Sequence, residues 1–455
     1  MRMPNAREIS DEQQDIFEEA PLNGCILISG PPGTGKTVIA FLRAKLLAKK
    51  KQKVVVLMYN RVLKRYTENI AREIDNVQSN TMHTWFPQWW SQHRIQNITP
   101  EIKNGRVYLD CPFEQKEELK KLGGKWDKKN VNFSSSSIKK GMWYVPIECY
   151  QQKPEKYKQW IKLSYQPLKL EQWKYDWEEM RDIYLDLDED KMVDWGHLII
   201  DEGQDFEPDF YSFLYMAGKK QVSGDITVLA DENQRLEEKS HSSLDDIRKN
   251  LKLVREPERE FTLKKNFRNT KQIAEVASQF YVGLETGIPN LPDKEGGKPV
   301  LVITPDIEQQ INYICNYLRL RGALEVGVIV DTNDDRECFT SELSERLNNY
   351  FVQTYSNQQY MESKKLIFDK QGVITVLNRK SCKGLEFDIV FVPQLQNFTV
   401  DDSNLTTFKM NMYVICSRAR SELVFMCNDV EKSTQEVLQY FPSRESGLID
   451  YREQK

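Results

Sequence analysis

"GPPGTGKT", residues 30–37, lies between the apolar run "CILIS" and the segment "VIAFLRAKLLAKK". The run Cys25 to Ile28 predicts a buried strand, and the apolar spacing after Thr37 predicts a helix. Strand, glycine-rich turn and helix form the context that G-x-x-x-x-G-K-[ST] requires. Gly30, Gly33 and Gly35 let backbone N–H groups close around phosphate oxygens, and the helix N-terminus adds positive partial charge. The whole loop, with Pro31, Pro32 and Thr34, is therefore read as nucleotide-binding. Lys36 is placed to reach the β- and γ-phosphates, and the Thr37 hydroxyl to ligate Mg²⁺. A chance match in a glycine-rich turn is the bland alternative, and the flanking elements disfavour it.

A second stretch, "WGHLIIDEGQDF" (195–206), reads as a buried strand ending in Asp201-Glu202. A carboxylate at a strand's C-terminal end can hold the Mg²⁺ water shell, which makes Asp201 a metal candidate. Glu202 is then the candidate general base for the attacking water. Alone, an Asp-Glu pair is most often a solvated turn. Beside a phosphate loop, hydrolysis is the better reading.

At 455 residues the chain is long enough for two to four domains. Its 40% hydrophobic and 29% charged composition is that of an ordinary globular protein. A net charge of −4 means that any affinity for nucleic acid must come from local patches. The eight cysteines include no C-x-x-C pair, which argues against a zinc ribbon and a disulfide scaffold. The polar start "MRMPNAREISDEQ" gives no sign of a signal peptide, and no apolar run reaches membrane-spanning length. A cytoplasmic protein with reduced thiols, and no membrane partner, is the expectation.

The motifs, in order, resemble those of superfamily 1 helicases of the UvrD/Rep type. "ISDEQQDIF" (9–17) resembles the Q motif, in which Gln13 would read the adenine edge. "VVVLMYNRVLKRYTENI" (54–70) resembles motif Ia and "SNTMHTWF" (79–86) motif Ib. Both face nucleic acid in that family, which makes Asn60, Thr81, His83 and Trp85 contact candidates. "VLADENQRL" (228–236) resembles motif III, with Gln234 as γ-phosphate sensor. "TLKKNFRNT" (262–270) resembles motif IV, with Phe267 stacked on adenine and Arg268 on the γ-phosphate. "VITVLNRKSCKGLEFDIVFVP" (373–393) resembles motif V, carrying Lys383 as a nucleic-acid contact and Glu386 as a nucleotide contact. "MYVICSRARSELVF" (412–425) resembles motif VI, with Arg418 as arginine finger. The resemblance implies an α/β protein of two RecA-like parallel-sheet P-loop cores, fuelled by ATP and Mg²⁺. It also implies movement on single-stranded DNA, 3′→5′. An arginine supplied across a cleft stabilises phosphoryl-transfer charge and senses the bound nucleotide.

The expected organisation is a split first core, residues 1–84 and 193–262, and a second core, 263–455. "VVVLMY", "HLIID" and "ITVLAD" read as strands of the first core. "PVLVIT", "EVGVIVD", "VITVLN", "FDIVFVP" and "ELVFMC" read as strands of the second. Residues 85–192 are an insertion in the first core, at the place of the family's 1B subdomain. Its middle, 105–146, predicts a small α+β module and resembles a little domain of bacterial and mobile-element DNA-processing proteins sharing an "LGAKWD…WYVP" pattern. Between 103 and 162 there are 14 Lys/Arg and 7 Asp/Glu, a local net of +7. Trp126, Trp143 and Tyr144 are interleaved with Lys120, Lys121, Lys125, Lys128, Lys129, Lys139 and Lys140. Such a face suits a single strand; equally, the tryptophans suit the module's core. The acidic stretch 176–194 reads as a solvated helix or linker.

Two departures stand out. No aromatic follows motif III; His241 is the nearest ring, and Trp85 is a candidate substitute. The segment between motifs IV and V is too short for the family's 2B subdomain, and there is no room for a fused nuclease. An ATP-gated nucleic-acid clamp that unwinds little duplex, or a motor on RNA, therefore remains beside the DNA translocase and helicase.

Overall fold

The structure is a computed structural model describing residues 9–59, 61–98, 100–134, 137–161, 163–171, 174–234, 241–322, 324–355, 365–400, 403–428 and 437–453. The chain forms two compact units. One comprises Met1–Thr81, Trp195–Ser212 and Ser223–Lys455; the other comprises Met82–Asp194 and Phe213–Val222. The sequence boundary 85–192 leaves out that last segment, and the stretch 263–455 is not a separate unit.

The first unit holds two parallel sheets. Strands β1 (Cys25–Ser29), β2 (Val54–Met58), β3 (Val77–Thr81), β4 (His197–Asp201), β5 (Asp225–Ala230) and β6 (Glu260–Thr262) lie in the order β6-β1-β5-β4-β2-β3. Strands β7 (Val300–Thr304), β8 (Glu325–Val330), β9 (Phe351–Tyr355), β10 (Val373–Asn378), β11 (Phe387–Val392), β12 (Ala419–Asn428) and β13 (Asp450–Glu453) lie in the order β9-β10-β8-β11-β12-β7-β13. Parallel sheets are covered on both faces, so their inner strands read as unbroken apolar runs. Every residue of β2, β4 and β8 is buried accordingly. One hydrophobic cluster runs from Ile26, Ile28, Val54 and Val56 of the first sheet to Leu377, Val390 and Phe425 of the second. The second sheet packs its other face, including Val302, Val328 and Phe391, on helices Ile307–Arg319 and Asn333–Arg346.

In the second unit, Glu101–Lys103, Arg106–Leu109, Ser137–Pro146 and Lys125–Ser134 form an antiparallel sheet, in that order. Val107, Leu109 and Val145 pack with Leu119 of helix Lys116–Lys121 and with Tyr157 and Trp160. Trp143 packs partly against this core, whereas Trp126 is 46% exposed. The module hangs on a short antiparallel ribbon, in which Asn97 pairs with Ser164 and Ile98 with Leu163.

Helix Met82–Gln92 belongs to a separate aromatic cluster with Tyr175, Trp177, Tyr184 and Phe213. Trp85 is only 5% exposed and lies nearly parallel to Trp89, with centroids 5.6 Å apart. This corrects the reading of Trp85 as a ring for bases: helical spacing turns it inward with Phe86 and Trp89. The acidic stretch is likewise not simply solvated. Helix Trp177–Leu185, N-capped by Asp176, buries Trp177, Met180 and Tyr184. Trp89, buried and donating Nε1–H to Val193 O at 2.9 Å, anchors the cluster. Trp89→Ala is expected to cost about 3–5 kcal/mol, measured as the denaturant midpoint of unfolding; a cost below about 1 kcal/mol would show that the cluster repacks freely.

Candidate active site

The phosphate loop runs from the end of β1 into helix Lys36–Lys49, whose N-cap Gly35 has φ +85°. Gly33, at φ +82°, also needs a missing Cβ: a methyl there would fall 2.3 Å from Asn266 Oδ1. Gly30 N–H donates to Ala230 O of β5, tying the loop's start to the first sheet. Thr34 Oγ1 donates to Pro31 O at 2.8 Å. Lys36 Nζ donates to Gly30 O at 2.5 Å and Pro31 O at 3.0 Å, and lies 3.8 Å from Asp231. Burial lowers the Lys36 pKa, against the pull of Asp231 and Glu202. Pro32 lines the cleft beside Gly33.

Thr37 Oγ1 donates to Asp201 Oδ2 at 2.7 Å. This meeting of a half-buried hydroxyl and a buried carboxylate is an all-oxygen donor set of the kind Mg²⁺ takes with phosphates and water. Asp201 is pushed up by burial and by Glu202. Glu202 is buried at a left-handed φ of +55° just past β4. Gln204 Nε2 donates to Glu202 Oε2 at 2.6 Å, and Gln204 Oε1 accepts from Asp231 N–H at 2.9 Å. Burial pushes the Glu202 carboxyl up, but Lys383, Lys36 and the bond from Gln204 outweigh it, so it sits below the usual carboxylate range.

From the far side of the cleft, Arg418 follows helix Leu405–Cys416 and is 1% exposed. Its Nη2 donates to Gln234 Oε1 at 2.9 Å and its Nε to Val414 O at 2.9 Å. Gln234 Nε2 donates in turn to Asp231 Oδ2 at 2.6 Å. Burial lowers the Arg418 pKa to about 10, with Arg268 adding to the effect. Arg268 Nε donates to Glu386 Oε2 at 2.7 Å and Nη1 to Ser417 O at 3.3 Å. Phe267 is 45% exposed, with its N–H on Gly33 O at 2.9 Å.

These side chains line one cleft of about 460 Å³, with Gln13, Lys36, Thr37, Glu202, Gln234, Phe267, Arg268, Glu386 and Arg418 on its walls. Asp369 and Arg420 also line it and were not singled out from sequence. "CSRAR" holds Arg420, but only the fold shows that it turns toward Glu386, at 3.3 Å. Gln13 differs from its expected part. Its Nε2 donates to Thr34 O at 2.9 Å and its Oε1 accepts from Ser10 N–H at 3.2 Å. The amide closes a capping box and clamps helix Asp11–Glu19 to the loop, so reading adenine requires these bonds to be exchanged.

The expected nucleic-acid contacts do not share one setting. Asn60 lies outside the described residues. Thr81 ends β3 and is buried; His83 is half-buried and stacks on Tyr175 at 5.9 Å. Lys383 is a correction: it is 1% exposed, with Nζ on both oxygens of Asp205 at 2.6 and 2.7 Å and on Gln234 O at 2.6 Å. Buried carboxylates draw the ammonium inward. A ring that sequence reading passed over, Tyr59 at the end of β2, is 41% exposed, edge-on to Phe206 and His241 at 5.7 Å each.

A family profile described as AAA domain matches residues 13–239. A protein of Acanthamoeba polyphaga mimivirus described as an ATP-dependent DNA helicase is 26% identical over 247 residues, 51% of this chain. The match spans 34% of that relative's length. Among solved structures, the C-terminal domain of a possible DNA helicase from Lactobacillus plantarum is 21% identical, covering 41% of this chain and 99% of its own, at a TM-score of 0.30. No helix among the described residues is long and apolar enough to cross a membrane.

Proposed function

We propose that the chain is an ATP-hydrolysing motor of the superfamily 1, UvrD/Rep-like kind that moves along single-stranded DNA, 3′→5′. The observation that carries the reading is the Arg418 guanidinium, 2.9 Å from Gln234 Oε1 in a cleft shared with Lys36, Thr37 and Glu202. A loop for phosphate, a buried base and an arginine from a second sheet make up the equipment for phosphoryl transfer to water. The polarity and the preference for DNA rest on the motif resemblance, and the helicase-named relative favours the same class.

Lys36 exchanges the carbonyls of Gly30 and Pro31 for phosphate oxygens. Thr37 and Asp201 are the residues that would hold Mg²⁺, which when bound neutralises phosphate charge. Glu202, kept ionised by its cationic neighbours, takes the proton of the attacking water. Arg418 and Arg268 meet charge developing on the γ-phosphoryl oxygens, and Gln234 is positioned between Arg418 and Asp231. Phe267 offers an exposed ring beside the loop for the base.

The test is ATPase activity with and without single-stranded DNA and RNA at stated salt. Stimulation by DNA above RNA supports the reading, stimulation by RNA alone reassigns the track, and none by either defeats it. Translocation without strand displacement would favour the clamp. Tyr59 directly follows β2, a strand of the first sheet, and its ring is 41% exposed. Tyr59→Ala is expected to raise the half-saturating DNA concentration about tenfold, the scale of one lost base stack. An unchanged half-saturation removes Tyr59 from the strand's path.

A further inference from the structure

We propose that Lys383 is a positioning residue for hydrolysis: from the second sheet it grips Asp205 and Gln234 of the first and so holds Glu202 at its post. This inference rests on the ATPase reading above. Lys383 comes from the turn after β10, and the next residue, Gly384, has φ +78°. A Cβ on Gly384 would fall 2.6 Å from Leu63 Cδ1, so this turn presses directly on helix Arg61–Arg72. An ammonium has three protons to donate. Here they meet the two carboxylate oxygens of Asp205 and the carbonyl of Gln234, each within 2.7 Å.

The grip bears on the chemistry in two ways. Lys383 Nζ lies 3.7 Å from Glu202 Oε2, whose other close partner is Gln204. Gln234 is also held twice by the second sheet's side of the cleft, through its main chain by Lys383 and its side chain by Arg418. Asp205 extends the connection outward: His241 Nδ1 is 3.6 Å from its Oδ1, and the His241 ring meets Tyr59. A shift of the second sheet's turn is thus felt by the base and the sensor together, whereas Lys383 is too deep to serve a strand.

The experiment uses the full chain and compares Lys383→Met, Asp205→Asn and the double variant with the unaltered protein. Each single change is expected to lower kcat at saturating DNA at least about 30-fold, while the Kd of a fluorescent ATP analogue moves less than about threefold. The double variant is expected to be no slower than the slower single one, because it leaves neither charge unpaired. It also guards against a single variant that does not fold. A Lys383→Met or double variant with kcat within about threefold of the unaltered protein overturns the inference, as do losses that multiply in the double or nucleotide affinity falling in step with kcat. If the unaltered protein hydrolyses no ATP with any strand, the ATPase reading falls and takes this inference with it. If it does, and Lys383→Met does too, only this inference falls.

Discussion

Glu202→Gln is expected to lower kcat by about two to four orders of magnitude, the range for removing a general base. ATP binding should survive, because the amide keeps the shape of the carboxylate and Gln204 remains 2.6 Å away to hold it. The rest of the loop's wall is untouched: Lys36 keeps its bond to Gly30 O, and Thr37 its bond to Asp201. Single-turnover hydrolysis beside analogue binding separates the two effects. Turnover near that of the unaltered protein would mean that another group takes the proton.

Arg418→Ala should cost about three orders of magnitude or more in kcat, the scale of a lost arginine finger. The change also removes the donor to Gln234 Oε1 in a fully buried setting. An orphaned buried acceptor costs about 1–3 kcal/mol, so a lower melting temperature should accompany the lost activity. Arg418→Lys restores charge but not the fork that reaches Val414, Leu385 and Gln234 from three separate nitrogens, and should recover stability better than rate. A fall in kcat of less than about tenfold with the fold intact would remove Arg418 from the transition state.

The inner strands were legible because burial on both faces writes itself as "VVVLM", "HLIID" and "VITVLN". The edge strands "VQSNT", "EFT" and "DYRE" were not, since one neighbour and partial exposure leave no apolar run. The strand, glycine-rich turn and helix around residues 30–37 were legible, because that pattern is local. The direction of a side chain is not local. Lys383 stands in a motif whose neighbours in sequence suggest a strand contact, yet the acceptors that draw it in lie 149 and 178 positions away. Tyr59 sat unremarked in a quoted motif because only the fold decides which ring stays open. Gln13 kept its place in the cleft but spends its amide on Ser10 and Thr34, a bond pattern set by a helix cap.

The ribbon that pairs Asn97 with Ser164 and Ile98 with Leu163 has a practical meaning. It brings the two ends of the lysine-rich module to neighbouring positions about 5 Å apart, so a tight turn can link Ile98 directly to Leu163. Excision there is a clean cut, sparing the aromatic cluster and both parallel sheets. By contrast, removing the entire stretch between Thr81 and His197 would demand a bridge along the full length of a strand, because β3 and β4 run in the same direction beside β2. One lesion subtracts an accessory; the other leaves the sheet unable to close.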